Sequence, residues 1–186
     1  MSDLKNKRVI TAALCGSWPT KDMNPAVPYT PEDIAREAYE CWQAGAAIVH
    51  VHVRNPDGTP STDFNLYKET VDRIRAYKDC DVCINITSSG SVDFGDEERI
   101  YPLQQLLPEL ASYDAGTLNW QNRTVFMNPP SFLEKLGYRP PGEQYQAGDR
   151  DLRRRYDLQH HLLYEEGLLK APCHYQIRPR LCRRHD

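Results

Sequence analysis

No apolar run in this 186-residue chain approaches the ~18–20 residues of a membrane span, so no spanning helix is expected. The opening Met1-Ser2-Asp3-Leu4-Lys5 lacks the features of a signal peptide. Net charge is only -3, which excludes both a strongly basic nucleic-acid binder and a highly charged disordered tail. Neither an internal repeat nor a low-complexity linker is present. The six cysteines include one CxxC, Cys80-Asp81-Val82-Cys83, and no second one to complete a zinc cage. The others are Cys15, Cys41, Cys173 and Cys182; for the CxxC, reduced and partly buried thiols are the simpler reading and a redox or metal role the lesser one. With 40% hydrophobic residues and a mean hydropathy of -0.69, the chain is polar for its size yet able to pack a core. A cytoplasmic protein with no membrane or nucleic-acid partner is the expectation.

The small net charge hides an asymmetry. Residues 1–138 carry 13 basic against 19 acidic side chains, while residues 139–186 carry 10 against 7. Nine of those ten basic residues are Arg, including Arg153-Arg154-Arg155 and Arg178, Arg180, Arg183 and Arg184. No aromatic interleaving accompanies them, so a solvated face is the simpler reading than a nucleic-acid patch.

The first two-thirds of the chain alternates β-type runs with helical patterns, the signature of a parallel α/β fold. Arg8 to Leu14 is a β-branched opening strand. Thr30-Pro31-Glu32-Asp33 predicts a helix start, with Thr30 as cap and Pro31 at the first helical position. Ile34, Ala38, Cys41 and Trp42 recur at helical spacing, and Gly45 ends the segment. Ala46 to Val53 reads as one continuous second strand. Asn55-Pro56-Asp57-Gly58 then turns the chain into a helix marked by Leu66, Thr70, Ile74 and Tyr77. Val82 to Thr87 is a third strand, and a helix interrupted at Pro102 leads to a fourth over Leu110–Asp114. Beyond Asn128 the regularity decays. Pro140-Pro141-Gly142 stands where a fifth strand is due, and His174 to Ile177 starts a sixth.

His50 and His52 are two apart on the second strand, so both rings leave one face, with Cα atoms ~6.6 Å apart. That spacing lets two imidazoles converge on one metal ion. Such a pair is also compatible with packing or an exposed surface. Its place at the carboxyl end of a parallel strand is where α/β barrels carry their chemistry. Thr87 and Ser88 close the third strand, Thr117 and Asn119 follow the fourth, and Arg54 follows the His pair. Each alone is an ordinary turn or cap residue; their recurrence at successive strand ends points to a site for a carbonyl or carboxylate.

The string Ala44-Gly45-Ala46-Ala47-Ile48-Val49-His50-Val51-His52-Val53-Arg54, followed by Pro56-Asp57-Gly58, closely resembles the β-keto acid cleavage enzymes. Ile10-Thr11-Ala12-Ala13, Tyr29-Thr30-Pro31-Glu32, Asp114 to Asn119 and Phe126-Met127-Asn128-Pro129-Pro130 fit the same family in order, over about residues 8–177. The resemblance implies a (β/α)8 TIM barrel, a divalent metal, normally Zn2+, and acetyl-CoA as co-substrate. It implies that a β-keto acid and acetyl-CoA give acetoacetate and a new acyl-CoA. His50 and His52 inherit the role of metal ligands, Thr87 and Thr117 that of hydroxyl groups at the substrate, and Glu143 that of a fifth-strand substrate-site acid. Arg54, Ser88 and Asn119 are expected at the substrate, and a homo-oligomer is implied.

Three departures from the family stand out. Trp18 stands where some relatives place an active-site Glu. The third metal ligand (a late-strand Glu), the neighbouring Asp base and a substrate-holding Arg find no match. The family-like Glu165 to Ile177 segment gives way to the Arg-rich stretch. The expectation is therefore an incomplete barrel of about six strands over residues 1–177 with an irregular tail over 178–186, from a truncated or frame-disrupted member. Two other readings are a catalytically inactive fragment and a His-x-His metallohydrolase, whose pattern normally sits on the first strand with further His and Asp ligands.

Overall fold

A computed structural model describes residues 7–120, 123–137, 146–149, 165 and 174–175. Glu143, His160-His161, Cys173, Cys182, the Arg clusters and the 178–186 tail lie outside the described residues. Two compact units are resolved, Met1–Ala111 and Ser112–Asp186.

The first unit is built from successive strand–helix repeats. Strands β1 (Thr11–Ala13), β2 (Ile48–Val51), β5 (Cys83–Ile86) and β6 (Leu110–Tyr113, which runs across the unit boundary) lie side by side in that order. Each neighbouring pair is parallel, with His50 opposite Ala13 on one side and Asn85 on the other. Helices α1 (Pro31–Gln43), α2 (Phe64–Ala76) and α3 (Asp96–Leu106) connect them. Every residue of β2 is buried, as expected of a parallel strand covered on both faces. Ile34 and Ala38 of α1, Tyr67 and Ile74 of α2 and Leu103 of α3 complete the core with Val49, Val51, Ile84 and Ile86. These are the β/α units of a TIM-barrel fold.

Local chemistry explains the element ends. The Thr30 hydroxyl accepts from the Asp33 backbone N–H at 3.1 Å, Pro31 occupies the first turn, and Ala44 caps the far end. Gly45 follows at φ +102°, a conformation that L side chains rarely adopt, so the helix stops where the sequence places its glycine. Thr30→Ala removes a cap acceptor and is expected to lower stability by about 1 kcal/mol, read as a fall in the urea midpoint.

Four expectations need correction. The second strand is not continuous: β2 stops at Val51, and Val53–Arg54 forms a separate short β3, paired antiparallel with β4 (Pro60–Ser61). Helix α3 runs through Pro102 instead of breaking there, with Pro102 itself buried. On α2 the fully buried side chains are Tyr67, Thr70 and Ile74; Leu66 is half-buried. Finally, a fifth-position strand exists, β9 (Gln146–Asp149), just after the Pro-rich segment, and it pairs in parallel with β10 (His174–Tyr175).

In the second unit, β7 (Leu118–Trp120) and β8 (Thr124–Phe126) form an antiparallel hairpin that the sequence reading does not anticipate. Helix α4 (Pro130–Gly137) buries Phe132, Leu133 and Leu136, and the Tyr113 hydroxyl donates to the Leu133 carbonyl at 2.8 Å. Six strands therefore run parallel to a neighbour among the described residues. No helix among them is long and apolar enough to cross a membrane.

Candidate active site

The His pair stands at the carboxyl end of β2. His50 is the third residue of the strand, and His52 lies one residue past its end. Both rings are buried, at 1% and 6% exposure, and they converge: the two Nε2 atoms are 3.1 Å apart and the rings meet edge to face. Direct neighbour Asn85 of β5 fixes the first ring, its Oδ1 lying 2.6 Å from His50 Nδ1. With the amide oxygen turned toward the ring, Nδ1–H donates and the lone pair sits on Nε2. Two ring nitrogens this close need a proton on one of them or a cation between them. Two Zn–N bonds of ~2.0–2.1 Å at a tetrahedral angle hold their nitrogens about 3.3 Å apart. The pair and its acceptor therefore fit a shared metal ion. No third His, Cys, Asp or Glu joins them to form a ligand cluster among the described residues.

Around the pair, the loops after β1 and β5 are tightly tied down. Cys15, just beyond β1, donates its thiol to the His52 carbonyl at 3.4 Å. Burial pushes that thiol above its ordinary value, opposed by the charge of nearby Arg54. Thr87 is buried; its N–H donates to the Val51 carbonyl at 3.1 Å and its hydroxyl lies 2.9 Å from that of Ser89. Ser88 is buried at 1% exposure, and its carbonyl accepts from Arg99 Nε of α3 at 2.8 Å. Arg54, expected at the substrate, is 3% exposed and donates to the carbonyls of Gly16, Pro19 and Gly58. Trp18, between two of those acceptors, is 50% exposed.

Thr117 and Asn119 belong to the second unit. Thr117 is exposed, and its hydroxyl accepts from the Asn128 backbone N–H at 2.9 Å, while Asn128 Nδ2 donates to the Gly116 carbonyl at 3.2 Å. Asn119 is exposed on β7 opposite Val125. Cys80 and Cys83 of the CxxC are both free thiols. Cys80 is buried, and burial, reinforced by the Glu109 carboxylate and opposed by Arg75, pushes the Cys83 thiol up to about 11.

Two residues of this site escape the sequence reading. Asn85 is a lone amide in the apolar run Val82-Cys83-Ile84-Asn85-Ile86, and a buried polar group there must have a partner. That is the signal that could have found it. Arg99 carries no such mark, since an Arg in a helical stretch reads as a solvated face.

The sequence model of the beta-keto acid cleavage enzyme family matches residues 7–178. The chain belongs to the beta-keto acid cleavage enzyme family. It is 38% identical over 181 residues to a 3-keto-5-aminohexanoate cleavage enzyme of Fusobacterium nucleatum subsp. nucleatum, covering 94% of this chain and 63% of that one. A 3-dehydrocarnitine:acetyl-CoA trimethylamine transferase of Rhizobium meliloti is 34% identical over 196 residues, covering 90% of this chain and 63% of the relative. The chain thus spans just under two-thirds of the length of these beta-keto acid cleavage enzyme relatives. In fold it is similar to the apo structure of ObcA, with a TM-score of 0.68 at 20% identity over 82% of this chain and 36% of that one.

Proposed function

We propose that this beta-keto acid cleavage enzyme homologue moves a carboxymethyl unit between two acyl groups. A β-keto acid RCO–CH2–COO⁻ and acetyl-CoA would give acetoacetate and RCO–CoA. The bond between the keto carbon and the CH2 breaks, an equivalent bond forms to the acetyl carbon, and the thiol of CoA passes to RCO. Atoms and charge balance without a further reactant. The relatives' own activities, cleavage of a 3-keto acid and transfer involving acetyl-CoA, support the reading. The observation that carries it is the convergence of His50 and His52 at the carboxyl end of β2.

His50 and His52 would hold the divalent ion, for which zinc is the match to neutral imidazole ligands. When bound, such an ion supplies Lewis-acid polarisation of a ligand carbonyl. The chain's own groups supply the rest. Asn85 holds His50 in one tautomer. By the family resemblance, Thr87 and Ser88 would orient a carboxylate, and Thr117 would donate to a developing oxyanion, where a hydrogen bond counts most in the transition state. Asn119 and Glu143 would act on the substrate, as the resemblance implies. A cytoplasmic homo-oligomer completes the proposal.

The test uses acetyl-CoA labelled with 13C in the acetyl group and a panel of β-keto acids. Labelled acetoacetate and the matching acyl-CoA should appear in equal amounts, as read by mass spectrometry. Free acids without any acyl-CoA would favour metal-assisted hydrolysis. No product above the blank across the panel would reject catalysis by this chain.

A further inference from the structure

One buried side chain ties the loop between β1 and α1 to the exit of the His-bearing strand. Arg54 donates from Nε to the Gly16 carbonyl at 3.0 Å, from Nη2 to the Pro19 carbonyl at 3.0 Å, and from Nη1 to the Gly58 carbonyl at 2.8 Å. Among the described residues no carboxylate pairs with it. The Tyr29 ring lies against the guanidinium, with its centroid 5.3 Å from Cζ. Tyr29 is itself fixed, because its hydroxyl accepts from the Lys21 N–H at 2.9 Å. Gly58, at φ +85°, packs so closely that a Cβ there would meet Tyr29 Cε2 at 2.4 Å. All three nitrogens of the fork thus reach backbone carbonyls, which is unlike a guanidinium held ready for a ligand.

The root of the same loop touches both histidines. Leu14 N–H donates to the His50 carbonyl at 3.3 Å, and the Cys15 thiol to that of His52 at 3.4 Å. His52 stands beyond the end of β2, so the parallel ladder that aligns His50 does not extend to it.

We propose that Arg54 is a positioning residue: by pinning Gly16 and Pro19 it holds the Cys15–His52 contact, and through it the orientation of the His52 ring. The claim about catalysis rests on the reading of the His pair given above, whereas the claim about the loop is tested without turnover. An Arg54 that contacts substrate directly is the rival.

The experiment compares the full chain with Arg54→Lys, Arg54→Ala and Tyr29→Leu. Amide hydrogen exchange should rise by about 10-fold or more over residues 16–21 in both Arg54 variants, while α1 and α2 keep their protection, as expected of a local opening. Millimolar ethylguanidinium should restore protection to Arg54→Ala. The His52 ring 15N resonances should shift in the same variants. Tyr29→Leu should loosen the loop partly and add nothing when combined with Arg54→Lys. In turnover, kcat should fall by about 10–100-fold with KM little changed, the scale seen when a supporting contact of a functional residue is lost.

Unchanged exchange over residues 16–21 in the Arg54 variants overturns the proposal, as does a KM increase alone with an undisturbed loop. Should those variants not fold, unchanged exchange in Tyr29→Leu overturns it equally, and partial loosening supports it. Absence of turnover in the unmodified chain defeats the proposed reaction and leaves the exchange and 15N readouts to decide the role of Arg54.

Discussion

His50→Ala is expected to abolish the binding of one zinc or cobalt ion per chain and with it acyl-CoA formation. The ring provides half of the described donor set, and its partner His52 cannot hold an ion alone in a site that needs about three protein ligands. The loss should exceed the ~10–100-fold typical of removing an outer partner of a metal ligand. Stability should fall as well. Asn85 Oδ1, 2.6 Å from His50 Nδ1 in the folded chain, would lose that hydrogen-bond partner, and Asn85 is only 4% exposed. A buried polar atom that loses its partner costs about 1–3 kcal/mol. His52→Ala should match it in metal loss without orphaning Asn85. Isothermal titration with zinc and urea unfolding of the two variants separate these effects. Zinc binding by His50→Ala equal to that of the parent chain would remove the pair from the chemistry.

The distinction between those two histidines marks how far residue pattern reaches. Period-two spacing places His50 and His52 on one face, and the rings do meet. The same pattern reads Ala46 to Val53 as a single strand, because no Gly, Pro or charge interrupts it. The break at His52 arises from the antiparallel pairing of Val53–Arg54 with Pro60–Ser61. A two-residue strand that begins with proline carries no readable β signal. The helix start at Thr30-Pro31 was legible because its chemistry is local: a hydroxyl within reach of an N–H three residues on. Continuation of α3 through Pro102 was not, since burial of that proline and of Leu103 is a tertiary effect that overrides propensity. Among candidate site residues, strand-end position singles out Thr87 and Ser88 but does not say what their polar groups meet. Nor does the charge of Arg54 reveal in sequence the three carbonyls that surround it.

Asn85 tests whether the site depends on a hydrogen bond or only on its two rings. Replacement by Leu keeps the branched four-heavy-atom shape of the side chain and suits its apolar neighbours Ile84 and Ile86, but removes the acceptor facing His50 Nδ1. The ring is then free to place its proton on either nitrogen, and only the tautomer with a bare Nε2 can ligate beside His52. Zinc affinity of Asn85→Leu should fall by about 10–100-fold, while far-UV circular dichroism stays that of the parent. Asn85→Asp supplies the complementary case. A carboxylate oxygen at the same place accepts the Nδ1 proton more strongly and raises the basicity of the opposite nitrogen. Zinc affinity should therefore be kept or increased, even though the new charge is buried at a position only 4% exposed. Stability should reverse that order in the metal-free chain, because the Asp variant must bury a charge, whereas the Leu variant leaves only the neutral His50 Nδ1 without its acceptor, at about 1–3 kcal/mol. Equal zinc affinity in Leu and Asp variants would show that the His50–Asn85 contact packs the sheet without preparing a ligand.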